Sequence, residues 1–338
     1  MQRATALDRD RPAVTRMQAL CFDAYGAARS VLTLRDIAIP EPASGDVLVQ
    51  VQASPINPSD VKSVAGAFHS SLPRVPGRDY AGVVVAGSDA WKGREVWGSG
   101  PGFGVSRDGA HAQFVLVPID GLSVKPAGLS MVAASTVGVP YLAAWSSVVE
   151  AAAIQSGETL LVTGASGAVG RAATQIAHWK GARVIGADIR KSSSDADHSI
   201  ISTDKDLTAQ VKSLTNGTGV DAVLDCVGGP MFEPALKSLR RGGRQIAITS
   251  IEKRRVEFDL IDFYHESLRL IGVDKMKLTA RDIARIMDRL REGFEQGRRR
   301  PPATTTWPLA RAREAYAAVE SGDSSTKHVL LPAQPAAG

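Results

Sequence analysis

The sequence predicts an α/β protein in which a doubly wound parallel sheet follows a small all-β domain. Three observations predict it. Between residues 159 and 273, apolar strand-like runs alternate with helix-compatible stretches, the pattern of repeated βα units. The first run breaks at a glycine-spaced turn, Gly164-Ala165-Ser166-Gly167-Ala168-Val169-Gly170, and continues with helical periodicity. Residues 54–125 instead carry short apolar runs punctuated by Gly and Pro, which suits a small barrel with irregular loops.

The elements follow in order. Met1 to Arg16 is charged throughout and lacks the apolar core of a signal peptide, so it is expected to be a disordered extension. Residues 18–53 read as strands. Val47, Val49 and Val51 alternate with Leu48, Gln50 and Gln52, as in a half-buried strand, and Pro40, Pro42 and Gly45 mark the turn before it. Tyr80 to Ala86, Glu95 to Gly98 and Ala112 to Val117 are the short runs of the β-rich part. Met131 to Ala153 is alanine-rich and helix-compatible. Strands are expected at 159–163, 183–187, 221–226, 244–248 and 268–273. Val169, Ala172, Ala173, Ile176 and Ala177 line one face of the helix after the glycine turn. Ser192 to His198 is several residues short of a full helix. Thr279 is expected to cap a helix whose apolar stripe is Ile283, Ile286, Met287, Leu290 and Phe294. Leu309, Ala312, Tyr316 and Val319 form another stripe, ended by Gly322, and Lys327 to Leu331 is a last strand.

A strand, a glycine-rich turn and a helix in that order form a site for a pyrophosphate. Glycines let the backbone approach the anion, and the helix N-terminus offers free N–H groups and a positive dipole end. Asp188 closes the next apolar run, where a dinucleotide-binding sheet carries a ribose-binding acid. It would accept hydrogen bonds from the ribose of NAD(H). Arg190 and Lys191 follow at once and would pair with the 2′-phosphate of NADP(H). In an open α/β sheet the ligand sits at the carboxyl ends of the strands, so substrate is expected in the cleft between the two parts.

Composition narrows the function classes. Hydrophobic residues make up 44% and charged residues 22% of the 338, ordinary for a globular protein with room for two domains. No stretch approaches the roughly 18 consecutive apolar residues of a membrane span. Cys21 and Cys226, the two cysteines, give no disulfide framework and point to a reducing compartment, the cytoplasm. The formal net charge is +5, with the basic residues spread among acids. The compact run Arg298-Arg299-Arg300 is expected to be a helix C-terminus followed by a solvated loop. No aromatic-plus-basic module surrounds it, which argues against nucleic acid as a partner.

Five segments carry a resemblance. They are Asn57-Pro58-Ser59-Asp60-Val61-Lys62, Pro76 to Val84 (Pro-Gly-Arg-Asp-Tyr-Ala-Gly-Val-Val), Asp108 to Phe114, the glycine turn, and Val220 to Gly229. In this order and spacing the chain resembles the medium-chain dehydrogenase/reductase superfamily, most of all its zinc-independent quinone oxidoreductase (zeta-crystallin-like) branch, from about Met17 to Pro332. The resemblance implies a GroES-like β-barrel catalytic domain at 17–136, a Rossmann dinucleotide domain at 137–275, and a return of 276–338 to the first. Zinc-dependent relatives have a Cys where Asn57 stands, a His at Arg78 and a third ligand at Val139. Residues 87–110 also lack the cysteines of a structural zinc lobe. No zinc is expected, because zinc takes Cys, His or carboxylate ligands.

The activity implied is reduction of a quinone or an α,β-unsaturated carbonyl, a small-molecule acceptor. Asn57 would donate a hydrogen bond to the acceptor's carbonyl oxygen, Ser59 would relay a proton, and Asp60 with Lys62 would form a cleft ion pair or orient neighbours. Lys327 matches a position that neutralises the pyrophosphate. The branch generally uses NADPH, so NADP(H) is expected ahead of NAD(H). Phe68 stands where enoyl-thioester reductases carry a proposed proton-donating Tyr, which weighs against a narrow enoyl-thioester or biosynthetic enone reductase. A cofactor-binding protein with little catalysis, a sensor, structural or RNA-binding role, is the alternative from another class. Leu268 to Val273 would be an apolar sheet edge, and pairing across it predicts a homodimer.

Overall fold

A computed structural model describes residues 15–189, 195–201, 206–251, 253–322 and 326–332. Six strands precede the glycine turn: β1 (Arg16–Cys21), β2 (Thr33–Ala38), β3 (Asp46–Pro55), β4 (Asp79–Ala86), β5 (Glu95–Ser99) and β6 (Phe114–Pro118). β1 and β2 pair by themselves. β3 is the spine of a larger antiparallel sheet, with Val49 opposite Val84 of β4 on one side and Val115 of β6 on the other. Val47, Val49 and Val51 are buried as the alternation predicts, but Leu48 on the opposite face is buried too.

Six parallel strands follow: β7 (Thr159–Thr163), β8 (Arg183–Asp188), β9 (His198–Ile201), β10 (Val220–Asp225), β11 (Leu239–Ala247) and β12 (Arg269–Gly272), in the order β12-β11-β10-β7-β8-β9. The chain reverses direction of growth between β7 and β10, which opens the crevice beside the glycine turn. Every residue of β7 is buried, so it reads as a continuous apolar run. The strand β9 was missing from the sequence expectation. It has four residues with Ile200 alone buried, too little for any periodicity. Arg190, Lys191 and residues 192–194 of the short stretch lie outside the described residues.

The alanine-rich stretch is three pieces, helices Met131–Ser135 and Gly138–Trp145 and a π-helical turn Ser146–Ala151. Thr279 caps helix Ala280–Glu295 as expected: its hydroxyl accepts the Asp282 N–H at 3.2 Å, and Asp282 accepts the Thr279 N–H at 3.1 Å. All five stripe residues of that helix are buried. β13 (Thr304–Pro308) and β14 (Lys327–Leu331) then return to the first sheet, where Val329 of β14 pairs with Pro55 of β3. One apolar core joins both sheets, with Ala81 and Trp97 from the first, Leu160 and Val162 from the second, Ile176 from the helix after the glycine turn, and Ile286 and Leu290 from the returning helix.

The arginine run departs from the expected solvated loop. Arg299 is 4% exposed and stacks 3.8 Å from the Trp179 ring, and burial lowers its pKa to about 10. An extended guanidinium packs over an aromatic face more readily than a solvated loop implies. No described helix is long and apolar enough to cross a membrane.

Candidate active site

A cleft of about 980 Å³ lies between the two sheets, with the glycine turn at one end and helix Pro58–Val64 at the other. At the first end β7 runs into Gly164, whose φ of +61° favours glycine. A Cβ on Gly170 would lie 2.5 Å from the Gly164 carbonyl oxygen, so only glycine lets helix Ala168–Trp179 start this close to the strand. Gly167 caps the helix without a side chain, and the N–H groups of Ala168, Val169 and Gly170 find no acceptor among the described residues. These free donors and the helix dipole suit a pyrophosphate. Gly164, Ser166 and Gly167 to Gly170 line the cleft. Ala165 does not. It is buried, and its N–H bonds to the Ala187 carbonyl at 3.3 Å. Asp188 also reaches the cleft, but its carboxylate braces the turn. One oxygen accepts the Ser166 N–H at 3.1 Å and the Ser166 hydroxyl, and the other accepts the Ile189 N–H at 2.8 Å.

At the far end, Asn57 precedes Pro58, which starts the short helix. The Asn57 amide is held at both ends. Its Nδ2 donates to Asp79 at 2.9 Å, and its Oδ1 accepts from the Lys327 ammonium at 2.6 Å. Asp79 is fixed in turn by the Val139 N–H at 2.9 Å. Burial pushes the Asp79 carboxyl up, against the pull of Lys275, Val139, Asn57 and Lys327. Ser59 lines the cleft, and its buried hydroxyl has no hydrogen-bond partner among the described residues.

Three expectations change here. Asp60 is 1% exposed and lies beneath the cleft. It accepts the Asn57 N–H at 2.7 Å and faces Arg78 at 3.7 Å, so it does not pair with Lys62. Lys62 is exposed on the cleft wall. Lys327 spends its ammonium on Asn57, because β14 pairs beside the end of β3 and brings the two side chains together.

Two residues escaped the sequence reading. Arg78 entered it only as a missing zinc ligand. It is 4% exposed, stacks 4.8 Å from the Phe68 ring and lines the cleft. Lys275 follows β12 and reaches the same cleft from the opposite sheet. Burial lowers its pKa to about 8, against the pull of Asp79 and Asp60. The Pro-Gly-Arg-Asp segment already marked Arg78, whereas no motif or period marks Lys275.

Comparison with known proteins bears on the family of the chain. Residues 43–127 match the alcohol dehydrogenase GroES-like domain family, and residues 168–292 match the zinc-binding dehydrogenase family. The chain is 34% identical over 277 residues to a zinc-type alcohol dehydrogenase-like protein of Schizosaccharomyces pombe, covering 79% of this chain and 81% of that one. It is 27% identical over 314 residues to the quinone oxidoreductase of Homo sapiens, covering 89% and 93%. The crystal structure of AibC superposes with a TM-score of 0.87 at 27% identity, covering 97% of this chain and 100% of that one.

The zinc that one family description implies does not fit these residues. Asn57 has its oxygen on Lys327, Arg78 is a cation and Val139 is an alkyl chain, and none of them offers a thiolate, imidazole or carboxylate. Among the described residues no group of three or more His, Cys, Asp or Glu is arranged to hold a metal ion. A relative one-third identical over most of its length, and family matches in both sheets, make the chain a member of the medium-chain dehydrogenase/reductase superfamily and an NAD(P)H oxidoreductase.

Proposed function

We propose that this protein reduces quinones or α,β-unsaturated carbonyls, with NADP(H) favoured over NAD(H), and does so without zinc. The observation that carries the reading is the acceptor end of the cleft. Hydrogen-bond donors and cations, Asn57, Ser59 and Arg78, stand there in place of metal ligands. Polarising an alcohol without a Lewis acid is hard, whereas an acceptor that is already electron-poor needs only orientation and charge stabilisation.

The dinucleotide, when bound, supplies the hydride. The glycine turn from Gly164 to Gly170 holds its pyrophosphate, and Asp188 stands at its ribose. Asn57 has one Nδ2 hydrogen left after bonding Asp79, and it orients the acceptor's carbonyl oxygen. Lys327 and Asp79 keep that amide from rotating. Ser59 relays a proton through its otherwise unpaired hydroxyl, taking one from water in the cleft as it passes one to the acceptor. Residues 17–136 with the returning 276–338 then form the catalytic domain, and 137–275 the dinucleotide domain.

The test is oxidation of NADPH, with NADH in parallel, against one ortho-quinone, one para-quinone and one simple enone. Turnover with a quinone or the enone, faster with NADPH, is the expected result. Cofactor binding with no turnover on all three would overturn the reading.

A further inference from the structure

We propose that Arg78 and Lys275 form an anion site at the acceptor end of the cleft, and that the natural acceptor carries a carboxylate. The proposal deepens the reductase reading, since it takes that end of the cleft as the acceptor's seat.

Arg78 is the first half of the argument. Its guanidinium is almost wholly buried, yet Nε and Nη2 have no hydrogen-bond partner among the described residues. Its nearest acid, Asp60, stands 3.7 Å away, too far for a hydrogen bond, and the facing Oδ1 is unsatisfied as well. A buried charged donor left without an acceptor is costly, and a native chain keeps one where a ligand completes it. A planar guanidinium matches the two oxygens of a carboxylate.

Lys275 is the second half. It belongs to the parallel sheet's side of the cleft, so the two cations approach one space from opposite walls. Both also line a side pocket of about 130 Å³, walled by Ser99, Gly100 and Gly102, and so stand where the two cavities meet. Asp60 and Asp79 offset part of the charge of this pair, but neither gives the Arg78 Nε or Nη2 a hydrogen-bond acceptor. Asp79 is engaged by Asn57 and Val139, and Asp60 by the Asn57 N–H. Lys62 adds a further positive charge on the wall. A cavity edged with cations selects a negative group.

The groups facing Lys275 are Asp79 on β4, Arg78 just before it, Asp60 on helix Pro58–Val64 and Asp274 beside it in the chain. With a pKa of about 8, the ammonium is charged at pH 7 and largely neutral by pH 9.5. Binding of an acid is therefore expected to weaken across that interval, and binding of its neutral ester is not.

The experiment titrates the whole protein by calorimetry with levulinate, a saturated keto acid, and with methyl levulinate. The acid is expected to bind at least about 10-fold more tightly than the ester at pH 7. Lys275→Gln and Arg78→Gln are each expected to abolish that preference. Lys275 is half-buried in the short helical turn Lys275–Lys277 and pairs with no strand, so its variant keeps the test intact even where loss of buried Arg78 unfolds the chain. Turnover of 4-oxopent-2-enoate and its methyl ester is then compared. Equal binding of acid and ester, binding of neither, or a preference that survives Lys275→Gln overturns the anion site. A Lys275-dependent preference with neither these enones nor the two quinones reduced leaves the site standing and removes the reductase reading. Equal binding with both enones reduced does the reverse.

Discussion

Ser59 and Lys275 sit at the same end of the cleft but respond to opposite physics. An unpaired buried hydroxyl costs roughly 1–3 kcal/mol, so the Ser59 hydroxyl detracts from stability in the ligand-free chain. Ser59→Ala is expected to lower kcat by about 100-fold, the lower range for loss of general acid help, with melting temperature unchanged or raised. Full turnover in that variant would take Ser59 out of the mechanism. Lys275 bears on stability through its charge. Its folded pKa of about 8 lies below the ordinary lysine value, so between about pH 8 and 10.5 the unfolded chain binds the extra proton. Stability from this group is therefore expected to rise with pH across that window. Urea unfolding of wild type and Lys275→Met at pH 7.5 and 10 checks it, because the rise should be smaller in the variant. An equal rise in both would show that Lys275 is not desolvated as its surroundings imply. Residue-scale chemistry was partly legible in the sequence. Asn57 and Ser59 do reach the cleft, whereas Asp60 and Lys327 are turned to partners that only the fold supplies.

At the scale of elements, the glycine turn and the capped helix were readable because their signals are local. Gly170→Ala would push a methyl group to 2.5 Å from the Gly164 carbonyl oxygen. It is expected to cost about 1–3 kcal/mol, as overpacking does, and to weaken dinucleotide binding by splaying the turn. Thermal melting with and without NADPH measures both. Thr279→Ala removes a cap bonded to Asp282 at 3.2 Å and is expected to cost about 1 kcal/mol without changing cofactor affinity. A cost near zero would mean that burial of the stripe alone holds helix Ala280–Glu295. Where signals were weak, the reading fell short. β11 begins at Leu239, before the expected 244, because Leu239 pairs with Val220 across a register shift that no alternation marks. β9 was missed because an edge strand of four residues with one buried side chain carries no period.

For the whole molecule, β12 lies at one end of the parallel sheet, and Leu270 on it is exposed. Leu260, Ile261 and Tyr264 on helix Leu260–His265, just before it, are exposed as well. Unpaired backbone groups and apolar side chains at one edge suit pairing across a two-fold axis. Light scattering is expected to give the mass of two chains, and Leu270→Arg to shift it toward one. A wild-type monomer at working concentration would refute the edge as an interface. The order of the longer strands and helices, the dinucleotide turn and the apolar stripes were determined by the sequence itself, since each depends on spacing within one short segment. Tertiary structure decided which charges meet. Lys327 reaches Asn57, Arg78 faces Asp60, and Lys275 crosses from the second sheet to join Arg78, over separations that no local pattern encodes. Burial of those groups in a space shared by the two sheets sets their chemistry, and burial of a charge is a property of the folded whole.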